Sequence, residues 1–246
     1  MKPITYLPLP ALLALLLAGA PAHGQVVRYR DLISHRLWTP TEVDTFRQDL
    51  NRRGRPAGLE FKVVLGKTIT RSDTIIHEYS LVGVPTEAAL LARQQSLNVF
   101  VGQPLPAFAL PDMQGKLLDS KSLQGKPVVL NLWFTSCGPC IVEMPTLNRI
   151  QREKTQTDIV FLAMTRDSQA QVQAFLRKQP FTYRQLVGAK QYCNQFGMGY
   201  PVTFFVGRDG LIKRVLGSIA VELDPATHQP AKADDKDFYA ALKQIE

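Results

Sequence analysis

The chain has 246 residues, of which 45% are hydrophobic and 20% charged, an ordinary composition for a globular protein with one good core and an appendage. Its formal net charge of +8 is a mild basic excess. The Lys and Arg residues are spread without a dense basic run, which argues against a nucleic-acid-binding protein. Three cysteines and four scattered histidines leave no second pair of ligands for a zinc site, and no cofactor is expected.

The first 22 residues predict a cleaved signal peptide. Lys2 precedes an apolar run that extends to Leu17, and residues 20–22 read Ala-Pro-Ala, a pattern that signal peptidase cuts. The alternative is an uncleaved membrane anchor, but the apolar run is shorter than the roughly 20 residues that a spanning helix needs. We expect cleavage after about Ala22 and a periplasmic mature protein. Its formal charge is +7, because Lys2 is the charged residue removed.

Residues 23–100 predict a small N-terminal α+β region of unknown role. Thr39 can cap a helix that starts at Pro40, with Glu42 completing a capping box, and this helix is expected to end near Leu50. The other predicted elements are two strands around a polar turn and a second helix, at Leu59–Leu65, at Thr74–Val82 and after Pro85. The region contains no recognisable catalytic pattern.

Two cysteines separated by two residues follow a predicted buried strand. The strand extends from Val128 to Phe134, is apolar except at Asn131, and is followed by apolar residues at helical spacing. Cys137 is therefore expected at the N-terminus of a helix, where unpaired N–H groups and the helix dipole lower the pKa of a thiol. This predicts Cys137 as the nucleophile. Cys140 lies on the same helical face one turn deeper and is the predicted resolving thiol.

A purely structural disulfide is the main alternative to redox chemistry at this cysteine pair. Such a disulfide would close a very small loop, whereas the entropic gain from cross-linking favours long loops. Redox activity is therefore the favoured interpretation. The third cysteine, Cys193, is expected to be a small buried residue, with a redox role as its alternative.

The sequence around the cysteines resembles a known family. Its features are the lead-in from Gly102 to Pro127, the strand with Asn131-Leu132-Trp133, the Cys-Gly-Pro-Cys motif and the following Glu143-Met144-Pro145. They are similar to those of the exported thioredoxin-like thiol-disulfide oxidoreductases of the TlpA and ResA type, over about residues 102–217. The resemblance implies an α/β thioredoxin fold with an N-terminal hairpin and a central βα insertion, which we place at residues 101–246.

The sequence pattern after the motif agrees with this fold. The predicted elements are strands at Ile159–Met164, Phe181–Val187, Val202–Val206 and Leu211–Leu216, and helices at Ser168–Gln179, Ala189–Phe196 and Phe238–Ile245. Residues 221–237 contain two prolines and little apolar content, and they predict an irregular excursion before the terminal helix.

The resemblance also implies roles for individual residues. Pro201 matches the family's cis-proline beside the dithiol, and the backbone of Tyr200 is expected to pair with an extended substrate strand; the alternative is an ordinary turn proline. Glu143 matches the family's active-site glutamate, which takes the proton that Cys140 loses when it attacks a mixed disulfide; the alternative is a solvated helix glutamate. The further expected substrate contacts are Trp133, Gly138 and Pro139.

Two residues depart from the related patterns. Thioredoxins have a buried aspartate where this chain has Asn131, which leaves Glu143 as the carboxylate candidate near the cysteines. Ser136 stands where the family often has tryptophan, which changes the expected docking surface and not the dithiol. Pro145 is shared with the family and is expected to kink the helix.

The sequence and the resemblance together predict an exported oxidoreductase that exchanges electrons with protein disulfides or thiols. An upstream donor is expected, for which a membrane thiol reductase is a candidate. The dipeptide Gly138-Pro139 is that of the reducing thioredoxins and favours reduction, for example of apocytochrome cysteines during cytochrome c maturation.

Three other functions compete with this prediction. A peroxiredoxin-like peroxidase needs a threonine where Phe134 stands, and a copper-delivery module needs wider cysteine spacing and a histidine. A binding or scaffold module that retains the dithiol stays open.

Overall fold

The computed structural model describes residues 25–32, 34–197, 199–223 and 230–246. These residues form two compact units, which divide between Thr86 and Glu87. The predicted signal peptide lies outside the described residues. Within the part of the chain that the structure describes, no helix is long and apolar enough to cross a membrane.

The first unit is a four-stranded sheet with one long helix. Its strands are β1 (Val26–Asp31), β2 (Leu37–Trp38), β3 (Leu59–Thr70) and β4 (Thr74–Pro85), in the order β2-β1-β4-β3. β1 is parallel to β4, and the other two pairings are antiparallel. Helix α1 (Pro40–Gly54) and a short 3-10 helix (Arg55–Ala57) connect β2 to β3.

Helix α1 begins with the predicted capping box and ends later than predicted. The Thr39 hydroxyl accepts from the N–H of Glu42, and the Glu42 carboxylate accepts from the N–H of Thr39. The helix extends past Leu50 and includes Arg52 and Arg53. Both arginines pair with an aspartate one turn earlier, and their charges suit the negative end of the helix dipole.

The second unit is organised on a five-stranded sheet. Its strands are β7 (Val128–Trp133), β8 (Val160–Thr165), β9 (Arg184–Leu186), β10 (Val202–Val206) and β11 (Ile212–Leu216), in the order β11-β10-β7-β8-β9. β7, β8 and β9 are parallel, whereas β10 is antiparallel to both β7 and β11. The central strand is β7, which leads directly to the cysteine motif. The mixed α/β architecture confirms the expected fold class.

Helices and two hairpins complete the second unit. The helices are α2 (Glu87–Asn98), α3 (Gly138–Glu153), α4 (Gln169–Leu176), α5 (Lys190–Asn194) and α6 (Lys236–Leu242). The hairpins are β5 (Ala109–Pro111) with β6 (Leu117–Asp119), and β12 (Ala220–Leu223) with β13 (Pro230–Asp234). The β5–β6 hairpin precedes β7, and the β9–α5 segment is inserted before β10, as the resemblance implies.

Two parts of the chain differ from the sequence-based expectation. Helix α2 belongs to the second unit, so the observed division lies before the boundary predicted at residue 101. The side chain of Gln94 donates to the carbonyl of Val215 in β11 (3.1 Å), and Leu97 is buried in the core of this unit. The predicted excursion at residues 221–237 contains the β12–β13 hairpin, whose ladder forms from backbone groups despite the prolines.

Apolar side chains form a separate core on each face of the five-stranded sheet. Alternation along β7 directs Leu130 and Leu132 into one cluster and Val129 and Trp133 into the other, which also contains both cysteines of the motif. Asn131 lies between Val129 and Trp133, at the alternating position that shares their face. The polar residue of β7 is thus placed on the side of the sheet that helix α3 covers.

Candidate active site

The cysteine motif lies where β7 ends and helix α3 begins. Cys137 is the N-cap residue of α3, and the N–H of Cys140 donates to the Cys137 sulfur (3.2 Å). The positive end of the helix dipole therefore lies beside this sulfur, where it stabilises a thiolate. The two cysteines form a disulfide, with their Cα atoms 5.3 Å apart. The structure thus confirms the strand-to-helix position and the pairing of the two thiols.

Both cysteines of the motif are almost fully buried in the disulfide form. Cys137 is 4% exposed and Cys140 is 1% exposed. The disulfide is part of the apolar cluster that contains Trp133, and Phe134 and Tyr200 pack against the same cluster. Opening of the disulfide must therefore begin with exposure of a sulfur to the partner.

Glu143 is buried one turn along α3 from Cys140. Its side chain is held at both oxygens: Oε1 accepts from the amide of Asn131 (3.3 Å), and Oε2 accepts from the backbone N–H of Ile219 (2.9 Å). Burial raises the pKa of Glu143 to about 8, against the lowering effects of the two hydrogen bonds and of the positive charge of Arg93. The alternative of a solvated helix glutamate is therefore excluded. A carboxyl group with this pKa can exchange a proton near neutral pH.

Asn131 supports this buried carboxyl group from the central strand. Its Nδ2 also donates to the hydroxyl of Thr203 in β10 (3.0 Å), so the amide bridges two neighbouring strands and helix α3. An aspartate at this position would place a second carboxylate beside Glu143. With asparagine in place of the thioredoxin aspartate, Glu143 has a hydrogen-bond donor beside it and not a second carboxylate.

The loop before β10 contains the expected cis-proline. The Tyr200–Pro201 peptide bond is cis, as the resemblance implies, whereas the position of Pro201 beside the dithiol stays a prediction. Nη2 of Arg93, in helix α2, donates to the carbonyl of Gly199 (3.2 Å) and to the carbonyl of Pro201 (2.8 Å). This loop therefore has side-chain support on both sides of Tyr200.

This part of the chain is similar in sequence to known proteins. Residues 101–215 match the AhpC/TSA family. The thioredoxin-like protein YneN of Bacillus subtilis is 29% identical over 126 residues, which cover 50% of this chain and 74% of YneN. The thiol-disulfide oxidoreductase ResA of Bacillus thuringiensis is 28% identical over 121 residues, which cover 49% of this chain and 58% of ResA. Over this region the chain is therefore similar to thioredoxin-like proteins and thiol-disulfide oxidoreductases.

Among solved structures, the chain is similar to that of a putative thiol:disulfide interchange protein DsbE from Chlorobium tepidum. It has a TM-score of 0.49 and 21% sequence identity to this chain, and the match covers 59% of this chain and 96% of that one. The matches to YneN, ResA and this structure each span 49% to 59% of the present chain, and that to ResA spans 58% of ResA.

An aromatic ring and a guanidinium group lie beside the Tyr200 ring. The rings of Phe134 and Tyr200 meet edge to face with centroids 5.1 Å apart, and the guanidinium of Arg166 lies 4.2 Å above the centre of the Phe134 ring. Cys193 is a free, buried cysteine that hydrogen-bonds the Tyr200 side chain, and burial raises the pKa of its thiol to about 11. A thiol with this pKa is almost fully protonated at neutral pH, which favours the structural role predicted for Cys193.

The three expected substrate contacts of the motif differ in accessibility. Trp133 is fully buried, and its indole N–H donates to the side-chain oxygen of Gln185 (3.1 Å), so this ring supports the end of β7 and offers no surface to a partner. Gly138 and Pro139 are exposed beside Cys137. Their role as substrate contacts stays a prediction.

Two groups at the site were not predicted from the sequence. Arg93 lies 106 and 108 residues from the carbonyls that it binds, in a helix without any recognisable motif. Ile219 contributes its backbone N–H, a group that every residue except proline carries. Neither contact leaves a signal in a single sequence, because both depend on how distant segments pack.

Proposed function

We propose that the protein is an exported thiol-disulfide oxidoreductase that reduces protein disulfides with the Cys137–Cys140 couple. The observation that carries this proposal is the disulfide at the N-terminus of α3, with the buried carboxyl of Glu143 one turn away. The arrangement provides a stabilised attacking thiolate, a second thiol within bonding distance, and a proton acceptor for that second thiol.

The reduction of a partner proceeds in two exchange steps. In the first, the Cys137 thiolate attacks one sulfur of the partner's disulfide, an S–S bond forms between the two proteins, and the other partner sulfur leaves as a thiolate. In the second, Cys140 attacks Cys137, the intramolecular disulfide forms, and the first partner sulfur leaves. Two electrons pass from the dithiol to the partner, and the dithiol becomes the disulfide that the structure contains.

Glu143 acts in the second step. Cys140 must lose its proton before it attacks, and the Glu143 carboxylate, three residues along the same helix, accepts this proton. When an upstream thiol donor reopens the disulfide, Cys140 leaves as a thiolate and the proton returns to it from Glu143. A pKa of about 8 for Glu143 allows both transfers near neutral pH.

The partner is proposed to dock as an extended strand beside Tyr200. The carbonyls of Gly199 and Pro201 accept from Arg93, and the backbone of Tyr200 between them is the proposed group for strand pairing. Gly138 and Pro139 are exposed next to Cys137 and provide the facing surface. The partners are proteins with a disulfide in an extended, accessible segment.

Export to the periplasm is proposed from the signal-peptide pattern of residues 1–22. In an oxidising compartment the enzyme needs a supply of electrons, and a membrane thiol reductase is the proposed upstream donor. Reduction of apocytochrome cysteines before haem attachment is the proposed physiological use, and it follows from the resemblance.

The test of this function combines insulin reduction with a redox titration. The mature protein should accelerate the reduction of insulin by dithiothreitol, and the Cys137→Ser/Cys140→Ser variant should not. A reductant predicts a potential for the Cys137–Cys140 couple near that of thioredoxin, about −270 mV, whereas a value near about −120 mV would indicate an oxidant. If the folded protein does not reduce insulin, the proposed activity is wrong and the binding or scaffold alternative is favoured.

A further inference from the structure

Helix α2 brings a charged side chain to the active site from outside the matched family region. The family match begins at residue 101, whereas α2 spans Glu87–Asn98. Arg93 is 106 and 108 residues away in sequence from its two acceptors, Gly199 and Pro201, and both hydrogen bonds come from one nitrogen. That nitrogen, Nη2, carries two N–H groups, so each carbonyl receives one.

These two hydrogen bonds hold the cis-proline loop on either side of Tyr200. A guanidinium group is planar and always charged, and its bonds to carbonyl oxygens are charge-assisted. Removal of Arg93 would leave the two carbonyls without this donor. The loop segment that presents the Tyr200 backbone to a partner would then lose its support from α2.

The same charge acts on the buried glutamate. Arg93 lowers the pKa of Glu143 against the larger effect of burial, and Glu143 reciprocally favours the charged form of Arg93. The other groups that act on or lie near Glu143 are the amide of Asn131, the backbone N–H of Ile219, the hydroxyl of Tyr183 and the thiol of Cys140. None of these four groups carries a positive charge, whereas the Arg93 guanidinium does.

We propose that Arg93 is a positioning residue of the dithiol reaction: its guanidinium holds the carbonyls of Gly199 and Pro201 on either side of Tyr200, and it brings a positive charge from helix α2 to the surroundings of the buried Glu143 carboxyl. The reaction itself rests on the proposed function, whereas the effect of Arg93 on Glu143 does not. One side chain, which lies outside the matched residues 101–215, therefore affects both the docking of the partner and the transfer of the proton.

The test compares two variants of Arg93 with a control on the same helix. Arg93→Gln removes the charge and keeps an amide donor, whereas Arg93→Lys keeps the charge. Gln94→Met is the matched control, because Gln94 ties α2 to the Val215 carbonyl without touching the loop or Glu143. The first measurement is the pH dependence of the rate at which Cys140 resolves a preformed mixed disulfide on Cys137.

Arg93→Gln should shift the inflection of this pH profile upward by about one pH unit, because loss of a nearby positive charge raises the pKa of a carboxyl group. At pH 7 its resolution rate should fall roughly 3- to 10-fold, with recovery above pH 9. Arg93→Lys should restore the inflection to within a few tenths of a unit of wild type. Gln94→Met should retain the wild-type profile.

A titration of the Glu143 carboxyl by carbon-detected NMR gives a readout that does not depend on activity. The assignment comes from Glu143→Gln, and the Glu143 pKa should be higher in Arg93→Gln than in wild type and Arg93→Lys. Superimposable titrations of wild type and Arg93→Gln would overturn the inference. A large pKa shift in Arg93→Lys would also contradict it, even if Arg93→Gln does not fold. Failure of the wild-type protein to reduce insulin would count against the proposed function alone, since the titration still decides the role of Arg93.

Discussion

At the scale of single residues, the proposed reaction depends on a carboxyl group that the fold removes from water and then stabilises with hydrogen bonds. Glu143 is buried, yet both of its oxygens accept hydrogen bonds, from Asn131 and from the backbone of Ile219. Burial favours the neutral acid, whereas the donors favour the carboxylate, and the resulting pKa of about 8 lies in the range useful for proton exchange.

The first prediction is that Glu143→Gln slows the resolution of a mixed disulfide by roughly 10- to 100-fold at pH 8, since the proton acceptor for Cys140 is lost. The first attack by Cys137 should proceed at nearly the wild-type rate. Stopped-flow mixing with a fluorescent disulfide separates the two steps. Glu153→Gln, at the exposed end of the same helix, is the control. Wild-type resolution rates in Glu143→Gln would show that Glu143 does not take part in the reaction.

The second prediction concerns the pH dependence of stability. The carboxyl group of Glu143 has a folded-state pKa of about 8, raised from an ordinary value of 4.5. Between these values the folded state keeps a proton that the unfolded state has lost. The contribution of Glu143 to the free energy of unfolding therefore falls as the pH rises from about 4.5 to about 8.

Glu143→Gln should lack this loss of stability, since glutamine is neutral at every pH. Relative to its stability difference from wild type at pH 4, the variant should gain on the order of 4 to 5 kcal/mol by pH 9. Urea denaturation of the disulfide form at several pH values measures the difference. Parallel curves for the two proteins across this range would contradict the raised pKa.

At the scale of elements, the capping box of α1 gives a prediction within the first unit. Thr39→Ala should lower the stability of this unit by about 1 kcal/mol, because the N–H of Glu42 loses its acceptor. Trp38 stacks on Phe46 of α1 with ring centroids 5.4 Å apart, so its fluorescence reports the docking of this helix. The measurement is made in a Trp133→Phe variant, so that the fluorescence comes from Trp38, the remaining tryptophan.

The control for this prediction is Thr41→Ala, an exposed threonine in the first turn of the same helix. It should change the transition much less than Thr39→Ala. Equal destabilisation by the two substitutions would mean that the cap contributes nothing beyond the change in helix propensity.

The elements that local sequence determines were predictable. Helix α1 follows from its capping box, and β7 and α3 follow from a buried apolar run and helical spacing around the cysteines. The assignment of α2 was not predictable, because Gln94 and Leu97 find their partners in the second unit only after folding. The hairpin β12–β13 was missed since its backbone ladder forms in a segment with proline and little apolar content.

The site follows the same division between local and distant contacts. The roles of Cys137 and Cys140 come from one short motif, and the cis geometry at Pro201 comes from the resemblance. The burial of Cys137 and the contacts of Arg93 depend on packing between segments far apart in sequence. A single sequence carries no direct record of such packing.

At the scale of the whole molecule, the chain consists of a small sheet-and-helix unit and a second unit that contains the region similar to thiol-disulfide oxidoreductases. The dithiol and its supporting groups all lie between residues 87 and 246 of the second unit. The central claim is that the two thiols have unequal roles, with Cys137 attacking the partner and Cys140 releasing it.

The most direct test is to trap the intermediate in cells that express the full chain with its N-terminal 22 residues. Cys140→Ser should leave partners joined to Cys137 as mixed disulfides, because the resolving thiol is absent. Cys193→Ser is included in every strain to remove the third thiol. After acid quenching and alkylation, non-reducing gels should show reducible adducts in Cys140→Ser and roughly tenfold fewer in Cys137→Ser, which lacks the thiolate at the helix N-terminus. Equal trapping by the two variants, or adducts from neither, would contradict the account.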